Sequence, residues 1–132
     1  MPEYCKLYIN GWVDSTSGET FKSVNPATEE VIAVLQKGNK EDVDKAVDVA
    51  EETFDSWSET PAPKRGQILL KAAQLLKENK ERLAKLETME MGKVLAESRG
   101  DVQEAIDIFE YMVGEGRRLF GHTTPSELRN KF

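Results

Sequence analysis

Lys37-Gly38-Asn39-Lys40-Glu41-Asp42-Val43 is the stretch at which the chain changes period. Before it, apolar residues come in short runs separated by turn-forming residues. After it they recur at three- and four-residue steps, the spacing of one helix face. Asn39 with an acidic residue three positions on is an N-cap pattern, in which a side-chain oxygen accepts from the backbone donors of the first turn. The chain therefore divides near residue 37 into a strand part and a helical part.

On the N-terminal side, Leu7-Tyr8-Ile9-Asn10-Gly11-Trp12-Val13 predicts a hairpin, because Asn-Gly supplies the two positive-φ residues of a type I′ turn. Strands are also expected at Phe21 to Val24 and Val31 to Leu35, with turn chemistry at Asn25-Pro26-Ala27-Thr28 between them. Residues 1–36 thus read as a ribbon of short antiparallel strands. Such a ribbon is marginal alone and needs a surface to pack on.

On the C-terminal side, Val43, Ala46, Val47, Ala50, Phe54 and Trp57 give a first amphipathic helix over about 40–58, closed off by Pro61 and Pro63. A second is predicted over about 64–90, with Ile68, Leu69, Ala72, Ala73, Leu75, Leu76, Leu83 and Leu86 as its apolar stripe and Gly92 as its stop or kink. A third is predicted over about 95–120, with Val102, Ala105, Ile106, Phe109, Val113, Gly116 and Phe120 inward. Gly100 weakens its first turn, and Gly121 is a natural stop. Ile108, Met112 and Leu119 widen its apolar face beyond the usual stripe, which implies a further neighbour: a second copy of the chain or another segment. The fold class expected is α+β, a 1–36 ribbon and a 37–121 three-helix segment, with residues 122–132 as a linker.

Composition narrows the function. At 132 residues there is room for one domain and a modest core, not for separate nucleotide and substrate domains. The formal net charge of -6 argues against a nucleic-acid or anionic-membrane partner. The single cysteine, Cys5, excludes an internal disulfide, and the mixed N-terminus Met1-Pro2-Glu3-Tyr4-Cys5-Lys6 does not resemble a signal peptide, so the expected setting is cytoplasmic.

Chemistry-bearing residues are sparse. One histidine, His122, in a turn after Gly121, cannot make a zinc site without other ligands close by. Cys5 has only Lys6 beside it, and a nucleophilic thiol needs an electropositive pocket with oriented donors. Gly114-Glu115-Gly116 lies late in a helix and lacks the third glycine of a dinucleotide loop, and Gly92-Lys93 has no phosphate-loop spacing. The carboxylates Glu87, Glu90, Glu97, Asp101, Glu104 and Asp107 read as a solvated helix face. No catalytic or cofactor-binding residue is assigned.

The order of several weak segments nevertheless carries a combined signal. Leu7-Tyr8-Ile9-Asn10-Gly11-Trp12-Val13, Val24-Asn25-Pro26-Ala27-Thr28-Glu29-Glu30-Val31-Ile32, Phe54-Asp55-Ser56-Trp57 and Pro63-Lys64-Arg65 fall in sequence, followed by Leu86-Glu87-Thr88-Met89-Glu90-Met91-Gly92-Lys93 and Glu110-Tyr111-Met112-Val113-Gly114-Glu115. Together they resemble the opening of the NAD(P)-dependent aldehyde dehydrogenase superfamily.

That resemblance implies a parent with a Rossmann-like cofactor domain, a catalytic domain and an oligomerisation element. Its chemistry would be cysteine attack on an aldehyde, hydride transfer to NAD or NADP, and hydrolysis of a thioester by glutamate-activated water. The family's nucleophile, general base, oxyanion asparagine and cofactor lysine would all lie beyond Phe132, and Cys5 matches none of them. Glu90 matches an acidic position that in some members helps hold a monovalent cation, with backbone near Val24 to Thr28 contributing. Glu104 and Ile108 fall on the helix that lines the family's aldehyde tunnel, where a basic residue near the Glu104 position accompanies anionic aldehydes. The resemblance therefore implies an oxidoreductase fragment inactive alone, its partners being the downstream cofactor and catalytic domains. The alternative is a short assembly module that forms a homo-oligomer or pairs with a separate catalytic chain.

Overall fold

The computed structural model describes residues 3–118, 120 and 121. Five strands come first: β1 (Glu3–Cys5), β2 (Leu7–Tyr8), β3 (Trp12–Val13), β4 (Thr20–Val24) and β5 (Val31–Gln36). Four helices follow: α1 (Lys40–Ser58), α2 (Ala62–Glu78), α3 (Lys80–Met91) and α4 (Leu95–Val113), with a closing 3-10 turn at Gly114–Arg117.

The ribbon is not wholly antiparallel. β4 and β5 pair antiparallel, but β1 runs parallel to β5 on its other side, matching Glu3 with Ala33 and Cys5 with Leu35. A three-residue strand whose partner lies thirty residues away has no local signature, so β1 is visible only in the fold. The β2–β3 hairpin forms where Asn10-Gly11 places it, with Tyr8 opposite Trp12 and their rings edge to face. Its turn differs from type I′: three residues, Ile9 to Gly11, lie between the paired positions, and Asn10 and Gly11 both take positive φ.

Loop 14–18, the end of β5 and the start of α1 meet in a buried polar hub. Asn39 caps α1 by accepting from the Asp42 amide at 3.0 Å, and the Asp42 carboxylate in turn accepts from the Asn39 amide at 3.0 Å. Asp42, only 5% exposed, also accepts from the Ser15 hydroxyl at 2.5 Å and the Thr16 amide at 3.0 Å. Gln36 completes the hub, accepting from the Ser15 amide at 3.0 Å while its own amide donates to Asp14 and to the Tyr4 hydroxyl. A carboxylate accepting this many bonds is stabilised in its charged form. The Ser15 hydroxyl first, then the Thr16 and Asn39 amides, hold Asp42 below its ordinary value of 3.8.

There are four helices where the apolar stripe predicts three. Between Leu76 and Leu83 the stripe is interrupted by Asn79 and Lys80, and the chain breaks there. Asn79 turns its side-chain amide back onto the Leu75 carbonyl at 2.9 Å while its backbone amide bonds the Leu75 and Leu76 carbonyls. Asparagine ends helices in this way because its short amide competes for backbone groups. The second predicted helix is therefore two, and it starts earlier, at Ala62, with Pro63 within its first turn where a proline costs no hydrogen bond. Gly92 ends α3 in the left-handed conformation, its amide on the Thr88 carbonyl at 2.9 Å.

α4 ends at Val113, short of the predicted 120, because Gly114-Glu115-Gly116-Arg117 tightens into the 3-10 turn. Phe120, expected inward, is 77% exposed. Leu119, His122 and the linker expected at 122–132 lie outside the described residues.

The core sits where α4 crosses α2 and α3. Ala84, Val102 and Ile106 are buried together, with Leu76, Leu83 and Leu95 packed against them. At its edge Ser98, fully buried, and Thr88 join α4 to α3 through their hydroxyls at 2.9 Å. Around it run ion pairs between the same helices: Arg99 to Glu81 at 2.9 Å and Lys77 to Glu110 at 2.5 Å. Where the chain ends its last turn, α2 must come very close: a Cβ on Gly66 would stand 2.6 Å from the Val113 carbonyl oxygen, and one on Gly116 would strike the Ala62 carbonyl.

These glycines separate cleanly in a test of stability. Gly66→Ala forces backbone against backbone and is expected to destabilise by about 1–3 kcal/mol. Gly100→Ala, whose Cβ meets nothing within 4 Å, should stabilise α4 by about 0.5–1 kcal/mol. Urea denaturation followed by circular dichroism measures both. The same measurement across pH tests the hub. The Asp42 carboxylate titrates lower when folded than when unfolded, so its contribution is complete at neutral pH and is lost as pH falls through its folded value. Asp42→Asn should therefore be less stable than the parent at pH 7, with the gap closing as the solution is acidified below about pH 4.

Candidate functional site

Two surface depressions and one ridge hold the residues that could do chemistry. The first depression, about 420 Å³, lies between α3 and α4 over a floor of Leu76, Leu83, Leu86 and Val102, with Glu87, Glu90 and Asp101 on its rim. Lys93, in the short connection after Gly92, reaches back to Glu87 at 2.5 Å and also to Asp101. One ammonium thereby ties the end of α3 to the first turns of α4. The carboxylates it bridges are engaged in holding helices together and are not poised as an acid and base pair.

Glu90 is joined to the ribbon. Its Oε1 accepts from the Ser23 hydroxyl of β4 at 2.9 Å, and nearby a Cβ on Gly92 would stand 2.9 Å from the ring of Pro26. The structure thus brings Glu90 to the strand that leads into the Val24 to Thr28 segment. Among the described residues, no three histidine, cysteine, aspartate or glutamate side chains gather as metal ligands would.

The ridge is the outer line of α4. Glu97, Asp101, Glu104, Ile108 and Tyr111 follow one another at three- and four-residue steps, all exposed, with Ile108 at 51%. Glu104 and Ile108 are neighbours one turn apart, on the side of α4 opposite Val102 and Ile106. The second depression, about 530 Å³, opens beside this ridge where the end of α1 meets α2 and the end of α4. Trp57, Ile68, Leu69 and Met112 make it apolar, and Arg65 and Glu115 stand at its edge.

Cys5 lines a shallow recess with Tyr4, Lys6 and Trp12. Lys6 does not activate it, because its ammonium is held by Asp14 at 2.8 Å; that bond raises the lysine's own value. Among the described residues the recess offers the thiol no oriented base and no oxyanion donors.

The connection from β5 to α1 is a strand, a three-residue loop with one glycine, and a helix N-terminus, the general position at which other folds seat a phosphate. Here that terminus is already filled. The capping box engages the Asn39 and Asp42 amides, and the Asp42 carboxylate puts a negative charge at the terminus that disfavours a pyrophosphate there. This helix terminus does not fit a dinucleotide. No helix among the described residues is long and apolar enough to cross a membrane.

This ribbon, leading through a capped helix into α2, α3 and α4, is also found in solved aldehyde dehydrogenase structures. Residues 12–132 match the aldehyde dehydrogenase family, and the chain belongs to it. It corresponds to the N-terminal portion of an NAD(P)-dependent aldehyde dehydrogenase.

The chain is 43% identical over 129 residues to a malonate-semialdehyde dehydrogenase of Halalkalibacterium halodurans, covering 97% of this chain and 27% of that one. It is 44% identical over 122 residues to malonate-semialdehyde dehydrogenase 1 of Geobacillus thermodenitrificans, covering 92% and 25%. Among solved structures, an NAD+ complex of aldehyde dehydrogenase from Bacillus cereus superposes with a TM-score of 0.88 at 35% identity, over 95% of this chain and 26% of that one. A 3,6-anhydro-L-galactose dehydrogenase superposes with a TM-score of 0.88 at 32% identity, over 97% and 27%. The chain thus spans about a quarter of the length of the relatives it matches.

Proposed function

We propose that this chain supplies the ribbon and substrate-side helices of an aldehyde dehydrogenase whose whole form oxidises an aldehyde to a carboxylic acid with NAD or NADP in the cytoplasm, and that alone it has no such activity. The observation that carries the reading is the contrast between the family match over residues 12–132 and the chemistry of the described side chains. Cys5 has no activating partner, the carboxylates of the α3–α4 depression are tied by Lys93, and the one strand-to-helix turn is closed by its own cap. The nucleophile, the base and the cofactor site are then the work of other segments. Residues 1–36 act as the ribbon, 37–121 as the helical wall, and 122–132 as the connection onward.

Within that reading, Glu104 and Ile108 on the α4 ridge line the aldehyde's approach. An acidic side chain there disfavours an anionic aldehyde by like-charge juxtaposition. The parent of this chain would on that account differ in preference from the relatives named for malonate semialdehyde. Glu90, already fixed by Ser23, is positioned to add one carboxylate to a monovalent cation held largely by backbone oxygens of the Val24 to Thr28 segment.

Calorimetric titration of the purified chain with NAD+ and NADP+ should register no binding, and aldehyde-dependent NAD(P)H formation should be absent until a polypeptide covering the rest of a relative is added. Turnover by the chain alone would overturn the proposal. The role of Glu104 is read in a chimera in which this chain replaces the matching portion of the Halalkalibacterium halodurans enzyme. Glu104→Lys should raise the kcat/KM ratio of anionic over neutral aldehyde about tenfold, corresponding to about 1.4 kcal/mol. A ratio that does not move would remove Glu104 from the substrate path.

A further inference from the structure

We propose that Asn10 is a site of self-modification, at which the Gly11 backbone nitrogen closes on the Asn10 side chain and converts it to aspartate and isoaspartate. The reaction needs only adjacent residues and water, and it does not rest on the enzyme reading.

Solvent base takes the Gly11 amide proton, and the nitrogen attacks the side-chain carbonyl carbon of Asn10. A cyclic imide forms as ammonia leaves. Water then adds across one of the two imide C–N bonds. Opening at the side-chain carbonyl gives aspartate, whereas opening at the main-chain carbonyl gives isoaspartate, in which the backbone runs through the former side chain. Asparagine and water are consumed, a carboxylate forms and ammonium is released. Nothing is oxidised or reduced.

The turn between β2 and β3 supplies what this chemistry needs. Gly11 has no side chain beside the attacking nitrogen, and a Cβ built there would meet nothing within 4 Å, so the approach is uncrowded. Its amide donates to no acceptor among the described residues; only its carbonyl is engaged, accepting from the Ile9 amide at 2.8 Å. The Asn10 side chain is exposed and makes no hydrogen bond among those residues either. The hairpin is a separate two-stranded sheet with two paired positions, Leu7 with Val13 and Tyr8 with Trp12. So short a ladder opens at little cost, which lets the Asn10 backbone rotate into the geometry of attack.

Each of the other asparagines described lacks a requirement. Asn25 precedes Pro26, whose nitrogen has no proton to lose, and its Oδ1 accepts from the Ala27 amide at 2.9 Å. Asn39 precedes Lys40, and its side chain accepts from the Asp42 amide at 3.0 Å and donates to the Thr16 hydroxyl at 2.9 Å. Asn79 precedes Lys80, and its amide donates to the Leu75 carbonyl at 2.9 Å. A lysine side chain crowds the nitrogen that glycine leaves open. All three are half-buried, where Asn10 is exposed.

The two products differ in effect. Aspartate tolerates the positive φ that Asn10 adopts, so that product keeps the turn. Isoaspartate inserts a main-chain carbon between Tyr8 and Trp12 and upsets their pairing. Either one adds a negative charge to a chain whose formal net charge is -6.

Incubation of the purified chain in warm, mildly alkaline buffer, followed by peptide mapping with a fragmentation method that separates aspartate from isoaspartate, tests this. Asn10 should be converted several-fold faster than Asn25, Asn39 or Asn79, with both products present. Gly11→Ala should slow conversion of Asn10 several-fold whether or not the hairpin forms, because its Cβ crowds the nitrogen in either case. The inference is overturned if Asn10 stays intact, if another of these asparagines converts as fast, or if Gly11→Ala leaves the rate at Asn10 unchanged.

Discussion

The ribbon and the helices are held in one arrangement chiefly by a single carboxylate. Asp42 closes the cap of α1 and, through Ser15 and Thr16, fixes the loop that follows the hairpin. An apolar side chain at that position could not replace it. Three donors converge there, the Ser15 hydroxyl and the Thr16 and Asn39 amides, and burying any of them without a partner costs more than the bond itself contributes. The strand part has little apolar interior of its own, Ala33 being the one buried apolar residue among those described there, so its placement against the helices depends on directional bonds more than on area removed from water.

The helical part depends on area, but has little of it. Its buried apolar residues gather around Ile106, and much of the remaining apolar side-chain surface faces outward. The chain exposes 10426 Å², against about 7,000 Å² for a compact monomer of its mass. A surface of that kind is what a domain shows when the surfaces it normally packs against are elsewhere. The faces are chemically distinct: α4 presents a ridge with Glu104 and Ile108, and α1 presents an apolar row edged with acid. They would suit different partners.

What the sequence reveals and what it conceals follow from how local each cause is. Asn39 and Asp42 announce α1 because the cap is made within four residues, and Asn10-Gly11 announces a hairpin because positive φ is a property of those residues themselves. β1 is concealed, since nothing in Glu3-Tyr4-Cys5 points to Ala33 to Leu35. The break at Asn79 is concealed for another reason: the leucine period resumes beyond it, and only the polar gap from Leu76 to Leu83 hints at two helices. The early end of α4 could have been read from Gly114 and Gly116, of which Gly116 must be small because the start of α2 passes against it. The family resemblance was legible because it sums many weak segments in order. The roles that the resemblance implies for Glu90, Glu104 and Ile108 have no signature in those residues themselves, because each would depend on groups from other parts of a whole enzyme.

The Thr88 and Ser98 hydroxyls have a consequence for how the helices find each other. Leucine and alanine faces tolerate sliding, since one apolar side chain serves nearly as well as the next. A hydroxyl pair with one member fully buried does not. Moving α4 by one turn would set Val94 or Val102 against Thr88 and leave an unsatisfied oxygen in the interior. The pair works as an index mark that fixes the register of α4 against α3.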